Sequence, residues 1–135
     1  MPQLTGKCVC GSVSYTLPDE NYTLWACDTC RQWTSGIMFS ISPSTPQFQG
    51  QEHISVYKSS GTSERAFCKV CGSSLYFKAK HPSTDKETMH VCAGTLDGYP
   101  QDMKLVREVF VDAAPKAYAL EKSDRQVLTR AEYDK

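Results

Sequence analysis

Cys8-Val9-Cys10-Gly11 and Cys68-Lys69-Val70-Cys71-Gly72 are the two stretches that decide how this chain folds. Each is a close pair of cysteines followed directly by glycine. A turn that wraps its side chains round an ion needs a residue at positive φ, which glycine adopts without steric cost. Two such pairs supply the four thiolates of a closed tetrahedral zinc site. Their long separation is no obstacle, because loop-closure entropy grows only with the logarithm of loop length. A structural zinc contributes on the order of 10 kcal/mol of folding free energy, comparable with the whole stability of a small domain. The spacing therefore predicts one structural zinc on Cys8, Cys10, Cys68 and Cys71, with buried or reactive thiols as the alternative reading.

The rest of the composition narrows the function classes. Fifteen basic residues balance fifteen acidic ones in a chain of 135. Zero net charge argues against a phosphate-driven nucleic-acid binder, which carries a basic excess. No apolar run approaches the roughly 18–20 residues that span a bilayer, and no charged start followed by an apolar stretch marks a secretory signal. The expected compartment is the cytoplasm, where thiols stay reduced and cysteines serve as ligands or reactive groups more often than as bridges. Neither nucleic acid nor a membrane is an expected partner.

Short runs of alternating apolar and polar residues predict half-buried strands. Val13, Tyr15 and Leu17 form one such face, and Ile37, Phe39 and Ile41 another. Ile54 with Val56, Leu75 with Phe77, and Met89, Val91 with Ala93 follow, and a Val-rich run over 105–111 closes the pattern. Turn-forming clusters separate them, among them Pro18-Asp19-Glu20-Asn21, Pro43-Ser44-Thr45-Pro46, Ser59-Ser60-Gly61-Thr62 and Pro82-Ser83-Thr84-Asp85. The fold class read from this is all-β, over a domain of residues 1–115. Residues 116–135 form a charged extension, either a packed helix over 124–133 entered through the capping-box spacing Ser123 to Gln126 or a solvated tail.

The third pair, Cys27-Asp28-Thr29-Cys30, is followed by Arg31 in place of glycine. A neighbouring guanidinium favours thiolate over thiol, the condition for nucleophilic or ligand chemistry. Two thiolates alone leave a zinc incompletely coordinated, as a catalytic metal requires. The pair is thus either an assisted open metal site or a metal-free thiol pair, and Cys27 and Cys30 are the candidate catalytic residues.

Taken together, Gly6-Lys7-Cys8-Val9-Cys10-Gly11, Cys27-Asp28-Thr29-Cys30-Arg31, Arg65-Ala66-Phe67-Cys68-Lys69-Val70-Cys71-Gly72 and Ala93-Gly94-Thr95-Leu96-Asp97 resemble the glutathione-dependent formaldehyde-activating enzyme and centromere protein V family. The resemblance implies a zinc-stabilised β-tent of two small antiparallel sheets, with the structural zinc on Cys8, Cys10, Cys68 and Cys71. It also implies that Cys27 and Cys30 belong to a catalytic-zinc loop at which glutathione or a thiol adduct binds, and that the chemistry is making and breaking of carbon–sulfur bonds. The family loop usually reads Cys-His-Cys-x-x-Cys, whereas this chain has Trp25-Ala26-Cys27-Asp28-Thr29-Cys30. One thiolate is missing, and in an extended segment the Trp25 indole faces the same side as Cys27. His90, Cys92 and His53 are the candidates for a replacement ligand. A second departure is Glu108-Val109-Phe110-Val111, where many relatives carry His-Ile-Phe-Val.

The leading functional reading is a small zinc-dependent carbon–sulfur lyase-like enzyme acting on a glutathione or other thiol adduct at the Cys27/Cys30 loop. Trp25, Arg31, Trp33 and Tyr99 are its candidate substrate-binding residues, and a monomer or homodimer is expected. Two readings compete with it. One is an enzyme with a metal-free aromatic pocket, and the other is a non-catalytic zinc-stabilised binding module, since fold alone does not settle function.

Overall fold

Gly11 and Gly72 take φ values of 80° and 83° and turn the chain back directly after a cysteine pair, as the glycine argument requires. The protein is described by a computed structural model covering residues 3–18 and 21–135; Asp19 and Glu20 of the first expected turn lie outside the described residues. The Gly11 turn joins β1 (Leu4–Lys7) to β2 (Ser14–Leu17). The Gly72 turn joins β7 (Ser63–Cys68) to β8 (Ser74–Lys80). These two hairpins belong to different sheets, so the four cysteines sit where the sheets meet.

The smaller sheet has the order β1-β2-β5, with β5 at Gln47–Gln49. The larger runs β11-β10-β3-β4-β9-β8-β7-β6. Its further strands are β3 (Leu24–Cys27), β4 (Met38–Ile41), β6 (Ile54–Ser60), β9 (Glu87–Cys92), β10 (Leu105–Val109) and β11 (Gln126–Leu128). Pairing is antiparallel except that β10 runs parallel to both β3 and β11. The two-sheet, mostly β architecture is the expected one, with one sheet grown to eight strands. No helix among the described residues is long and apolar enough to cross a membrane.

The face predicted from Val13, Tyr15 and Leu17 is buried, and it supplies the core between the sheets together with Tyr22, Ile41, Val91 and Leu96. Val13 and Leu75 pack round Cys8 and Cys68, which buries these two thiols in apolar surroundings, while Cys10 and Cys71 are exposed. The Ile37/Phe39/Ile41 face is not cleanly reproduced. In β4 Met38, Ser40 and Ile41 are all buried, because this strand is covered on both sides. Val56 is about half exposed, since β6 is the outermost strand of its sheet.

The helix expected over 124–133 is replaced by β11 followed by one turn of helix, α2 (Arg130–Tyr133). The capping box forms six residues later than its spacing predicted. Thr129 Oγ1 accepts from the Glu132 amide at 3.3 Å, and the Thr129 amide donates to Glu132 Oε1 at 3.0 Å. Strand pairing with β10 takes up residues 126–128 and so displaces the helix start.

Candidate functional site

The cysteine knuckle is assembled by backbone first. The Cys8 amide donates to the Val13 carbonyl and the Cys68 amide to the Ser73 carbonyl, closing both turns. The Val9 amide crosses to Ser73 Oγ at 3.0 Å, tying one turn to the other. The Sγ atoms of Cys8, Cys10, Cys68 and Cys71 all lie within 4.8 Å of one another. Cys8 to Cys10 is 3.6 Å and Cys10 to Cys68 is 3.8 Å. Tetrahedral zinc with bonds of about 2.3 Å sets its sulfurs about 3.8 Å apart, so this donor set fits that ion. Cys71 is pulled down to about 5, first by Ser73, whose hydroxyl lies 3.2 Å from its sulfur. The charged ligand form is thereby favoured.

Cys27 and Cys30 lie elsewhere. Cys27 ends β3 with extended dihedrals, a short 3-10 turn over Asp28–Cys30 follows, and Cys30 leads into α1 (Arg31–Thr34). This strand-to-helix turn brings the two Sγ atoms to 2.7 Å. Both line a cavity of about 560 Å³ together with Trp25, Arg65, Phe77 and His90, within the size range of small-molecule sites. Cys30 is lowered to about 7, chiefly by its contact with Cys27 and then by Arg65 against the opposing effect of burial. Cys27 is pushed up by the same contact and by burial. Of the two, Cys30 is the one favoured as thiolate and Cys27 the one favoured as thiol.

The cavity walls are set by stacking. The Arg65 guanidinium lies 4.6 Å from the Phe77 ring centre and 5.1 Å from that of Trp33, and its Nη1 is buried with no hydrogen-bond partner among the described residues. Arg107 packs on Trp25 at 4.4 Å. Near the mouth Phe110 adopts φ 61°, costly for a bulky side chain. Its ring is held by Arg130 at 3.9 Å and by the edge of Tyr133 at 5.0 Å, so the C-terminal turn forms part of the wall.

Beneath the Cys27–Cys30 loop sits a buried charge cluster. Glu108 Oε1 accepts from Arg125 Nε at 3.2 Å and Nη2 at 3.0 Å. Asp28 is 1% exposed, and neither carboxyl oxygen has a hydrogen-bond partner among the described residues. Burial, and next the Glu108 carboxylate, push Asp28 up to about 7.

The sequence-derived site residues divide between two places. Trp25 joins Cys27 and Cys30 on the cavity. Trp33 touches Arg65 from behind and, with Tyr99 and Cys92, lines a second, more open hollow of about 670 Å³. Tyr99 is about half exposed and donates to the Ala93 carbonyl at 2.7 Å. Arg31 is half-buried in α1 and lines neither space. Of the three replacement ligands considered, His90 reaches the cavity, but Ser42 Oγ at 3.1 Å and Thr88 Oγ1 at 3.0 Å occupy its two ring nitrogens. Burial lowers it to about 4, so the imidazole is neutral. Cys92 packs behind Cys30 and Met38. The His53 carbonyl accepts from the Lys69 amide beside the knuckle. Among the described residues only the four knuckle cysteines form a group of three or more metal donors, so the Cys27/Cys30 loop does not fit a three-ligand zinc. Arg65, Phe77, Arg130 and Tyr133 were not singled out from sequence as site residues. Arg65 lies within a motif quoted above, but nothing in its local pattern points it at Cys30.

These features define a class: a two-sheet β protein pinned by a four-thiolate knuckle, with a separate cysteine-bearing cavity. The family model for the glutathione-dependent formaldehyde-activating enzyme matches residues 3–113, and the chain belongs to that family. A protein of Schizosaccharomyces pombe described as an uncharacterized lyase is 34% identical over 121 residues, covering 87% of this chain and 85% of the relative. The matched family stretch ends before β11 and α2, so Arg125, Arg130 and Tyr133 lie beyond it.

Proposed function

We propose that this protein is a small carbon–sulfur lyase-like enzyme that acts on a glutathione adduct or a related thiol adduct in the Cys27/Cys30 cavity. Cys8, Cys10, Cys68 and Cys71 hold one zinc, which supplies folding free energy by locking the two sheets together. The observation that carries the reading is the close thiol pair, with sulfurs 2.7 Å apart, in an aromatic and cation-lined cavity away from the knuckle. Membership of the family and the relative described as a lyase support the reaction class.

The chemistry follows from the two thiols. In a hemithioacetal, R–S–CH2–OH, the Cys30 thiolate takes the hydroxyl proton. The oxygen electrons form the carbonyl double bond, and the carbon–sulfur pair departs onto the substrate sulfur. The Cys27 thiol donates a proton to that sulfur, releasing R–SH and formaldehyde. Passing one proton across the Cys27–Cys30 contact restores the starting state, and the reverse sequence forms the adduct. Such acid–base assistance is worth about 10²–10⁴-fold. Trp25 walls the reacting carbon, and the unpartnered Nη1 of Arg65 is available to the developing thiolate.

The test is exchange NMR on an equilibrium mixture of formaldehyde, glutathione and S-hydroxymethylglutathione. The zinc-loaded protein is expected to speed interconversion, and Cys27→Ser and Cys30→Ser are expected to abolish the acceleration. Interconversion at the uncatalysed rate, for this and for other small hemithioacetals, defeats the proposal.

A further inference from the structure

The two sets of cysteines are spaced for different purposes. Knuckle sulfurs stand at 3.6 and 3.8 Å, the edge length of a zinc–thiolate tetrahedron. The Cys27 and Cys30 sulfurs stand at 2.7 Å, about 1 Å too close to share one such ion as tetrahedral ligands. Trp25 lines the same cavity two residues before Cys27; of the two histidines on the cavity, His90 has both ring nitrogens occupied, and His81 forms no group of three metal donors with Cys27 and Cys30. Closing the sulfur contact to the roughly 2.05 Å of a disulfide needs only about 0.7 Å, within reach of side-chain rotation.

Access is arranged as well. Cys27 is half-buried and lines the cavity, while Cys30 is 4% exposed behind it. The nearby Arg65 guanidinium is held by aromatic faces on both sides, a fixed cation of the kind that favours thiolates. Going beyond the lyase reading, we propose that Cys27 and Cys30 are a thiol–disulfide couple that exchanges with a small organic disulfide, such as oxidised glutathione, entering the cavity.

The exchange balances without a metal. The Cys27 thiol passes its proton to the Cys30 thiolate as its sulfur attacks one sulfur of the incoming disulfide, whose S–S bond breaks, and the displaced thiolate leaves and takes up a proton from solvent. The Cys30 thiolate then attacks the Cys27 sulfur, the mixed disulfide breaks, and a second thiol departs with the proton from Cys30. The two cysteines are oxidised by two electrons, and one disulfide is reduced to two thiols. If the lyase reading holds, the oxidised pair has neither a proton acceptor nor a donor, and that activity switches off.

The experiment treats zinc-loaded, full-length protein with oxidised glutathione, blocks free thiols, and measures intact mass and zinc content. Trypsin with a protease that cuts before aspartate separates Cys27 from Cys30 at Asp28, and both from Cys8 and Cys10 at Asp19. We expect a loss of the mass of two hydrogens, one bond linking the Cys27 fragment to the Cys30 fragment, and unchanged zinc. In Cys30→Ser the reaction is expected to stop with one glutathione on Cys27. Separately alkylated Cys27 and Cys30 after oxidation, or bonds found only among the knuckle cysteines with loss of zinc, overturns the proposal. So does a second zinc that disappears in Cys30→Ser. The bond is read by mass and not by turnover: a disulfide in a protein without lyase activity sinks only the reaction proposed above, and an active lyase without it sinks only this inference.

Discussion

Asp28→Asn is the perturbation that isolates the buried cluster under the active loop. In the folded protein Asp28 is raised from 3.8 to about 7, by burial first and by Glu108 second. The folded state therefore holds a proton that the unfolded chain has lost, and stability falls as pH rises from about 4 to about 7, then levels off. Each pH unit in that window is worth about 1.4 kcal/mol. Between pH 5 and 7 the upper bound is about 3 kcal/mol, or roughly 10 °C of melting temperature for a domain of this size. Asparagine cannot ionise, and it keeps a neutral side chain of the same shape beside the Glu108 carboxylate. Thermal melts of zinc-loaded wild type and Asp28→Asn should nearly coincide at pH 5 and diverge towards pH 7.5, with the variant melting higher. Because both proteins carry the same knuckle, protonation of its thiols cancels in the difference. A constant offset across this range refutes the placement of a neutral carboxyl against Glu108.

Other predictions follow from the same geometry. Arg125→Met leaves Glu108 buried without its cation and should cost about 3–5 kcal/mol, measured by urea unfolding at pH 7. Gly50 sits at φ 78° with the Ser12 carbonyl where a Cβ would be; Gly50→Ala should push β5 off β2 and lower the melting temperature by at least several degrees. Because the Cys27 contact and Arg65 lower Cys30 to about 7, lyase turnover should rise with pH through that value, and a flat profile from pH 6 to 8 speaks against Cys30 as proton acceptor.

Much of the fold is written in local pattern. Where one face of a strand is buried, alternation is legible, as in Val13, Tyr15 and Leu17 of β2. It fails in β4, whose two faces are both covered, and it gives no sign of β3 or of its parallel pairing with β10, which depends on residues far apart in sequence. The shift of the C-terminal helix has the same origin: the capping signal at Ser123 is local, whereas the strand that overrides it exists only because β10 offers a free edge. The glycine-flanked pairs point to a four-cysteine cluster because turn chemistry and ligand type are both local properties. The cavity is different. Arg65 reaches Cys30 from β7, Arg130 and Tyr133 line the cavity from α2, and no spacing rule connects these residues to the Cys27–Cys30 turn.

Metal content is the most direct check on the division between the two sets of cysteines. Zinc-repleted wild type should hold one zinc per chain, and so should the Cys27→Ser/Cys30→Ser double variant, with its cooperative melt retained. Cys71→Ser should lose both the ion and the cooperative transition. A Cys71→Ser protein that keeps its zinc and melts cooperatively, or a double variant that gives up the zinc, contradicts the account.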